Sequence, residues 1–305
     1  MTQFDIMADD LAFPEGPVVC DDGSVIVVEC RTRSITRVRP DGSRHVIAQI
    51  DGAPNGLAVG PDGALYCCNN GGFAWNPYTG PETNFPTGTP ADYRSGSIDR
   101  INVSTGKVER LYDSCDGVPL AGPNDIVFDS EGGFWFTDLG KDLGEHERHG
   151  GLYHAKADGS SIRCIVHGLG LNGVGLSPDG TKVYAAASFT RWLLEFDAGS
   201  KEKIAGHALQ AGRIVADFPR RRFLDSLGME ADGTIAVAGL FDEPGIYRVD
   251  PVTGAQRAVP LPDVMPTNIA FGGADMRTAY VTLTTTNRLV RLRWDAPGMR
   301  LPFNL

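Results

Sequence analysis

The sequence predicts an all-β fold, a six-bladed β-propeller with four antiparallel strands per blade, on three observations. A ten-residue pattern recurs six times along the 305-residue chain. Each copy is followed by short apolar runs sufficient for three more strands. The residues left over at the two ends together make one more blade length. No run carries the apolar spacing of a long amphipathic helix, so the repeat is the organising signal.

The pattern has a polar residue in second place, then alternating apolar residues, then a turn ending in Gly. Blade one opens with PEGPVVCDDG (14–23), blade two with PNGLAVGPDG (54–63) and blade three with PNDIVFDSEG (123–132). Blade four opens with LNGVGLSPDG (171–180), blade five with LDSLGMEADG (224–233), and blade six with a worn copy, PTNIAFGGAD (266–275). Five of the six end in Asp-Gly or Glu-Gly, which reads as a two-residue hairpin turn. A second strand follows in runs such as ALYCCNN, GFWFTD, KVYAAAS, TIAVAGL and TAYVTLT. A second hairpin follows in SIDRINVSTGKVERLYD, LYHAKADGSSIRCIV and IYRVDPVTGAQRAVPL. Four strands per copy is the content of a propeller blade.

The second positions are spaced by 40, 69, 48, 53 and 42 residues. From Thr267 to the C-terminus is 38 residues, and the 15 up to Glu15 bring the remainder to 53. The N-terminal QFDIM therefore reads as an outer strand. Residues 2–7 are expected to close the ring by completing blade six, with Phe4 and Ile6 as the alternating apolar positions. The C-terminal MRLPF competes for that place. The whole chain, 1–305, is expected to be one propeller domain.

Composition narrows the function. The formal net charge of −10 leaves no basic footprint for nucleic acid. No stretch approaches the roughly 20 apolar residues of a membrane span, and MTQFDIMADD lacks the cationic and apolar regions of a secretory signal. The expected partner is thus a small molecule, with neither nucleic acid nor membrane. The six cysteines form no CxxC pair and sit mostly in apolar β-like runs. They indicate free thiols in a reducing, cytoplasmic compartment.

An innermost strand starts at one face of the disc and runs down the central channel. The second position of each copy therefore lies at the top of that channel, once per blade: Glu15, Asn55, Asn124, Asn172, Asp225 and Thr267. Asn and Asp also start strands after turns, which accounts for the Asn residues but not for Glu15. Six oxygen-bearing side chains around one axis suit a hard cation, with two carboxylates to balance a 2+ charge. An all-oxygen set favours Ca²⁺, Mg²⁺ or Mn²⁺ over a structural zinc.

The same parity brings the loops after second strands back to the top. The excess in the 69-residue interval falls there, at residues 71–95, GGFAWNPYTGPETNFPTGTPADYRS. A long loop rich in aromatic residues over an open end reads as a lid. It carries Phe73, Trp75, Tyr78, Phe85 and Tyr93. Asn55, Asp125, Phe73, Trp75 and Tyr93 are expected to face the substrate. His146 and His149 lie after the second strand of blade three, and Phe189, Arg191 and Trp192 belong to blade four. The run Arg220-Arg221-Arg222 precedes Asp225, where it can attract an anion or simply be solvated.

The motifs FPEGP (13–17), PND (123–125), LNG (171–173) and DSLGMEADG (225–233) together resemble the gluconolactonase and senescence marker protein (regucalcin) family. The resemblance runs through nearly the whole chain in order. It implies a six-bladed propeller lactonase with one divalent ion held by Glu15, Asn172 and Asp225. Asn124 matches a position that contacts metal or substrate in the lactonases and is a ligand in the related diisopropyl fluorophosphatase fold. Asp225 is by that analogy the general base or nucleophile, with Asn124 beside it. Ca²⁺ is the first expectation for the ion, with Zn²⁺, Mn²⁺, Mg²⁺ or Fe²⁺ as alternatives. One departure stands out: the sugar-lactone-binding Arg before the PND motif is replaced by Gly122. Two other readings use the same propeller: a hydrolase of phosphotriesters or other activated esters, and a non-enzymatic metal-binding protein.

Overall fold

The computed structural model describes residues 2–76, 85–204, 210–219 and 221–305. Their strands form six four-stranded antiparallel sheets, the blades of a propeller, with no α-helix among the described residues. The innermost strands are Pro14–Val19, Pro54–Val59, Pro123–Phe128, Leu171–Leu176, Arg222–Met229 and Pro266–Gly272. Each packs against the innermost strand of the next blade, and the last packs against the first.

The energetics lie between the blades. Six buried apolar layers are found among the described residues, one at each junction of neighbouring blades. The aromatic content is concentrated at blades two and three, where Tyr66, Phe134 and Phe136 are almost fully buried. Strands alternate only weakly because both faces of each blade are covered, which is why GFWFTD and LYCCN read as continuous apolar runs.

Two local devices shape the top of the channel. Every innermost strand is bulged where its motif begins, with register breaks from Glu15/Val18 through Pro266/Asn268. A bulge bends the strand and re-aims its side chains, here those of the second positions. The connections into blades one, two and three are tied down by the last residue of each second strand. Glu29 Oε2 accepts from Ala12 N at 2.8 Å, Asn69 Oδ1 from Ala53 N at 3.0 Å, and Asp138 Oδ2 from Ala121 N at 2.8 Å.

Two sequence expectations need correction. The turns at the motif ends are longer than the two-residue type, by one residue in blades one, two, three and five and by two in blade four. In blade one, Cys20 N donates to Ser24 O at 2.8 Å and Gly23 N to Cys20 O at 3.0 Å, so three residues form the loop. Gly23 sits at φ +78°, a conformation glycine adopts without a Cβ penalty. In the worn sixth copy Met276 takes the same left-handed conformation, at φ +56°.

The ring is closed by the N-terminal strand, but that strand is Asp5–Ala8 rather than 2–7, and it pairs with Arg288–Arg293. Its buried residues are Met7 and Ala8, while Ile6 is 48% exposed. A bulge between Ile6 and Ala8 breaks the strict alternation. The C-terminal tail does not compete for this edge. Ala231 N donates to Pro297 O and Asp21 N to Leu305 O, so the tail crosses the lower face from blade five to blade one.

Without residues 2–8, Arg288–Arg293 becomes an unpaired edge and its layer with blade one loses Met7 and Ala8. That deletion is expected to lower the melting temperature by several degrees. An unchanged thermal unfolding curve would show that closure contributes nothing.

Candidate functional site

The six second positions converge as the repeat requires. Glu15, Asn55, Asn124, Asn172, Asp225 and Thr267 are all buried at the starts of the innermost strands. The third position explains how the backbones come so close. A Cβ on Gly16 would stand 2.3 Å from Asn55 O, and one on Gly56 would stand 2.5 Å from Asn124 O. The PEG, PNG and LNG motifs thus carry glycine because the neighbouring blade occupies that space.

Where the third position is not glycine, its side chain joins the ring. Asn268 Nδ2 donates to Glu15 Oε2 at 3.2 Å. Asp125 accepts from Ile126 N at 2.9 Å through one oxygen and from Val174 N at 3.2 Å through the other. Thr267 joins the ring through a side-chain hydrogen bond to Glu15, and its hydroxyl also lies 3.0 Å from that of Thr282.

The electrostatics of the ring are strained. Burial raises the pKa of Asp225 well above the ordinary carboxylate value, and the nearby charges of Glu15 and Asp125 raise it further against a hydrogen bond from Asn172. Burial also raises Glu15, opposed by hydrogen bonds from Thr267, Gly16 and Asn268. Asp125 is pushed up to about 7, mainly by burial. At the same place Asn124 Oδ1 and Asn172 Oδ1 are buried and accept no hydrogen bond from the protein. A buried acceptor without a donor is costly. Carboxylates short of positive charge and carbonyl oxygens short of a donor are both answered by one cation. The donor set therefore fits a hard divalent ion held by Glu15, Asn172, Asp225 and Asn124. No three His, Cys, Asp or Glu side chains gather to hold a metal among the described residues, so carboxamide oxygens would have to complete such a site.

The described residues of the 71–95 segment, 71–76 and 85–95, make contacts around this mouth. Trp75 meets Phe13 of the entry to blade one, with ring centroids 5.1 Å apart, and Phe73 at 5.7 Å. Tyr93 Oη donates to Ala121 O at 2.6 Å, before blade three. Phe85 stacks on Phe241 of blade five at 6.3 Å. Blades two and five face each other across the ring, so Phe85 lies on the far side from the strand Leu65–Asn69. Tyr78, like Arg220, lies outside the described residues.

Several aromatic residues that motif reading did not join to the lid continue its surface. Phe223 packs on Phe241 at 5.7 Å, and Phe189, 65% exposed, packs on Phe223 at 6.4 Å. Asn268 and Asn70 carry no motif signal beyond the third place of Asn268 in the repeat, and Lys141 is marked only as part of the run after the second strand of blade three. His146 and His149 are exposed, and His149 faces His167 at the outer strand of blade three. Arg222 is committed to Glu243 and to the Tyr247 ring, while Arg221 is exposed. Of the blade-four residues, Trp192 begins the third strand, in register with Ala187 of the second, and packs against the layer between blades three and four. Arg191 sits in the preceding turn at φ +63°.

Gly122 has no room for a side chain. A Cβ there would stand 2.6 Å from Gly140 O and 3.0 Å from Asn70 Nδ2. Below the ring, the channel widens into a cavity of about 530 Å³ with largely apolar walls. Asp125 and Asn268 line it, and the tail residues 299–304 contribute to its wall.

A family model described as the SMP-30/Gluconolactonase/LRE-like region matches residues 13–285. The gluconolactonase of Zymomonas mobilis is 24% identical over 223 residues, which cover 65% of this chain and 56% of that protein. The chain thus spans little more than half the length of that relative. Among solved structures, a gluconolactonase from Xanthomonas campestris superposes with a TM-score of 0.73 at 19% identity, covering 94% of this chain and 88% of that one. A calcium-binding regucalcin from Agrobacterium tumefaciens gives 0.71 at 17% identity, covering 95% of each chain.

Proposed function

The chain belongs to the SMP-30/gluconolactonase/LRE-like family, and from that premise we propose that it is a divalent-metal-dependent hydrolase that opens a small lactone. The observation that carries the reading is the pairing of two buried carboxylates, Glu15 and Asp225, with the unpartnered oxygens of Asn124 and Asn172. Ca²⁺ is the favoured ion, since a carboxylate and carboxamide set suits hard cations. When bound there, such an ion supplies polarisation of the ester carbonyl.

The protein's own groups account for the rest. Asp225 takes a proton from the attacking water as the water oxygen bonds to the carbonyl carbon. The ring C–O bond then breaks, and the leaving alkoxide recovers a proton to give a hydroxy acid. Asn124 and Asn55 offer carboxamide N–H groups to the substrate oxygens. Phe73, Trp75 and Tyr93 wall the mouth and exclude bulk water.

The same walls bear on which lactone is taken. The neighbours of Gly122 leave no space for a charged donor at that position, while aromatic rings extend over blades one, two, four and five. This combination supports a flat or apolar lactone over a polyhydroxylated one. The absence of any membrane-length apolar helix among the described residues and the six free cysteines are compatible with a reducing, cytoplasmic location.

Purified protein assayed on sugar, aliphatic and aromatic lactones, with and without chelator, tests the proposal. Chelator-sensitive opening, fastest on the aromatic or aliphatic members, is expected. Turnover of phosphotriesters or aryl esters alone would move the protein to the activated-ester reading. No turnover on any member would leave a metal-binding propeller without hydrolase activity.

A further inference from the structure

Lys141 is a lysine with little access to water, and its ammonium donates to Asn70, just before the lid, and to Gly72 at the lid's start. It opens a small ribbon, Lys141–Asp142 paired with Glu147–Arg148, that stands on blade three. Its Nζ donates to Asn70 O at 3.1 Å, to Gly72 O at 2.6 Å, and to Asn70 Oδ1. The same ammonium lies 4.7 Å from the centre of the Phe73 ring and 5.2 Å from that of Tyr93. Asn70, Gly72 and Phe73 begin the loop, and Tyr93 ends it. One side chain therefore grips both ends.

The rest of the ribbon repeats the theme. Thr89 Oγ1 donates to Asp142 O at 2.5 Å, and Arg148 donates to Arg94 O at 2.9 Å. The Arg148 guanidinium also lies 5.6 Å from the Tyr93 ring.

We propose that Lys141 is the positioning residue of the aromatic lid, and that the ribbon at 141–148 is the post on which the lid is held over the ring. Three oxygen acceptors require three N–H donors, which an ammonium has and a neutral amine lacks. Two ring faces add attraction for the cation. Burial pulls the lysine down to about 7, and the nearby Asp138 carboxyl opposes that pull. Burying an amine this deeply is unfavourable unless it is fully paired, and its pairing is with the loop. The role assigned to the lid in catalysis rests on the lactonase reading; the anchoring does not.

Lys141→Met keeps the apolar stem and removes the cation. It leaves Asn70 Oδ1 and Gly72 O without their donor, so the loop root must open to hydrate them. Chymotrypsin cleavage within 71–95 is expected to accelerate by about tenfold or more, because proteolysis follows the open population. Trp75 emission should shift to the red, and the shift should vanish in a Trp75→Phe background. Lys141→Arg, which retains a cation with several donors, should return both readouts toward those of the original chain. Lys141→Met with unchanged melting temperature, cleavage rate and emission would overturn the proposal. So would a Lys141→Arg variant cleaved as fast as Lys141→Met. If Lys141→Met has no cooperative melt, Asn70→Ala, which removes one acceptor and spares the lysine, is read by the same two measurements and the same outcomes. Neither measurement needs a substrate, so a failure of lactone hydrolysis would sink the functional reading and leave this one intact.

Discussion

Asp225→Asn is expected to lower turnover by about 10²–10⁴-fold, the range that a general acid–base group contributes. The substitution is nearly isosteric and keeps an oxygen on the ring, so some affinity for the cation should remain. It removes the group that accepts the proton. Because Asp225 is held among Glu15, Asp125 and Asn172, losing its charge also relieves repulsion, and the fold should not suffer. The deficit should therefore persist at saturating metal, and in chelator the melting temperature should be at or above that of the original chain. If added metal restores full turnover, Asp225 serves only as a ligand, and the base lies elsewhere on the top face.

Glu15→Gln should act in the opposite part of the cycle. In the original chain, Ca²⁺ at 100 times its dissociation constant should stabilise the fold by about 2.7 kcal/mol, visible as a thermal shift of a few degrees. Glu15→Gln removes half of the carboxylate charge on the ring and should lose most of that shift. In chelator the sign reverses. Two buried carboxylates with no cation between them repel, so replacing one by a carboxamide should raise the melting temperature. A variant that keeps the full metal-dependent shift would exclude Glu15 from the site. One that melts lower than the original chain in chelator would show that Glu15 is held mainly by Asn268 and Gly16, its hydrogen-bond donors.

Much of this was legible in the linear chain because a propeller is a repeat, and a repeat puts one register position at one place in space. Aligning the six copies was enough to nominate Glu15, Asn55, Asn124, Asn172, Asp225 and Thr267 as one ring before any coordinates were known. The residue count at the two ends likewise pointed to the N-terminus as the strand completing blade six, with the C-terminal MRLPF as a competitor. The alignment also displayed glycine in third place without its reason, which is the approach of the next blade's backbone at 2.3–2.8 Å from a Cβ at Gly16, Gly56 and Gly173.

What the chain alone determined is therefore what periodicity can encode: the number of blades, their strands and the ring of second positions. Only the tertiary structure decided which side chains from outside the repeat meet that ring. Lys141 looks in the sequence like any solvated lysine after a strand, and only the packing of Asn70, Gly72, Phe73 and Tyr93 around it encloses it. Thr267 shares the register and bonds Glu15 while also meeting Thr282, and Asn268, one residue on, bonds Glu15 as well. The strand Asp5–Ala8 buries Met7 and Ala8 because a bulge shifts its parity, and MRLPF lies across the lower face. Each of these depends on contacts between segments far apart in the chain, where loop length and bulges set the geometry and no local pattern records the partner.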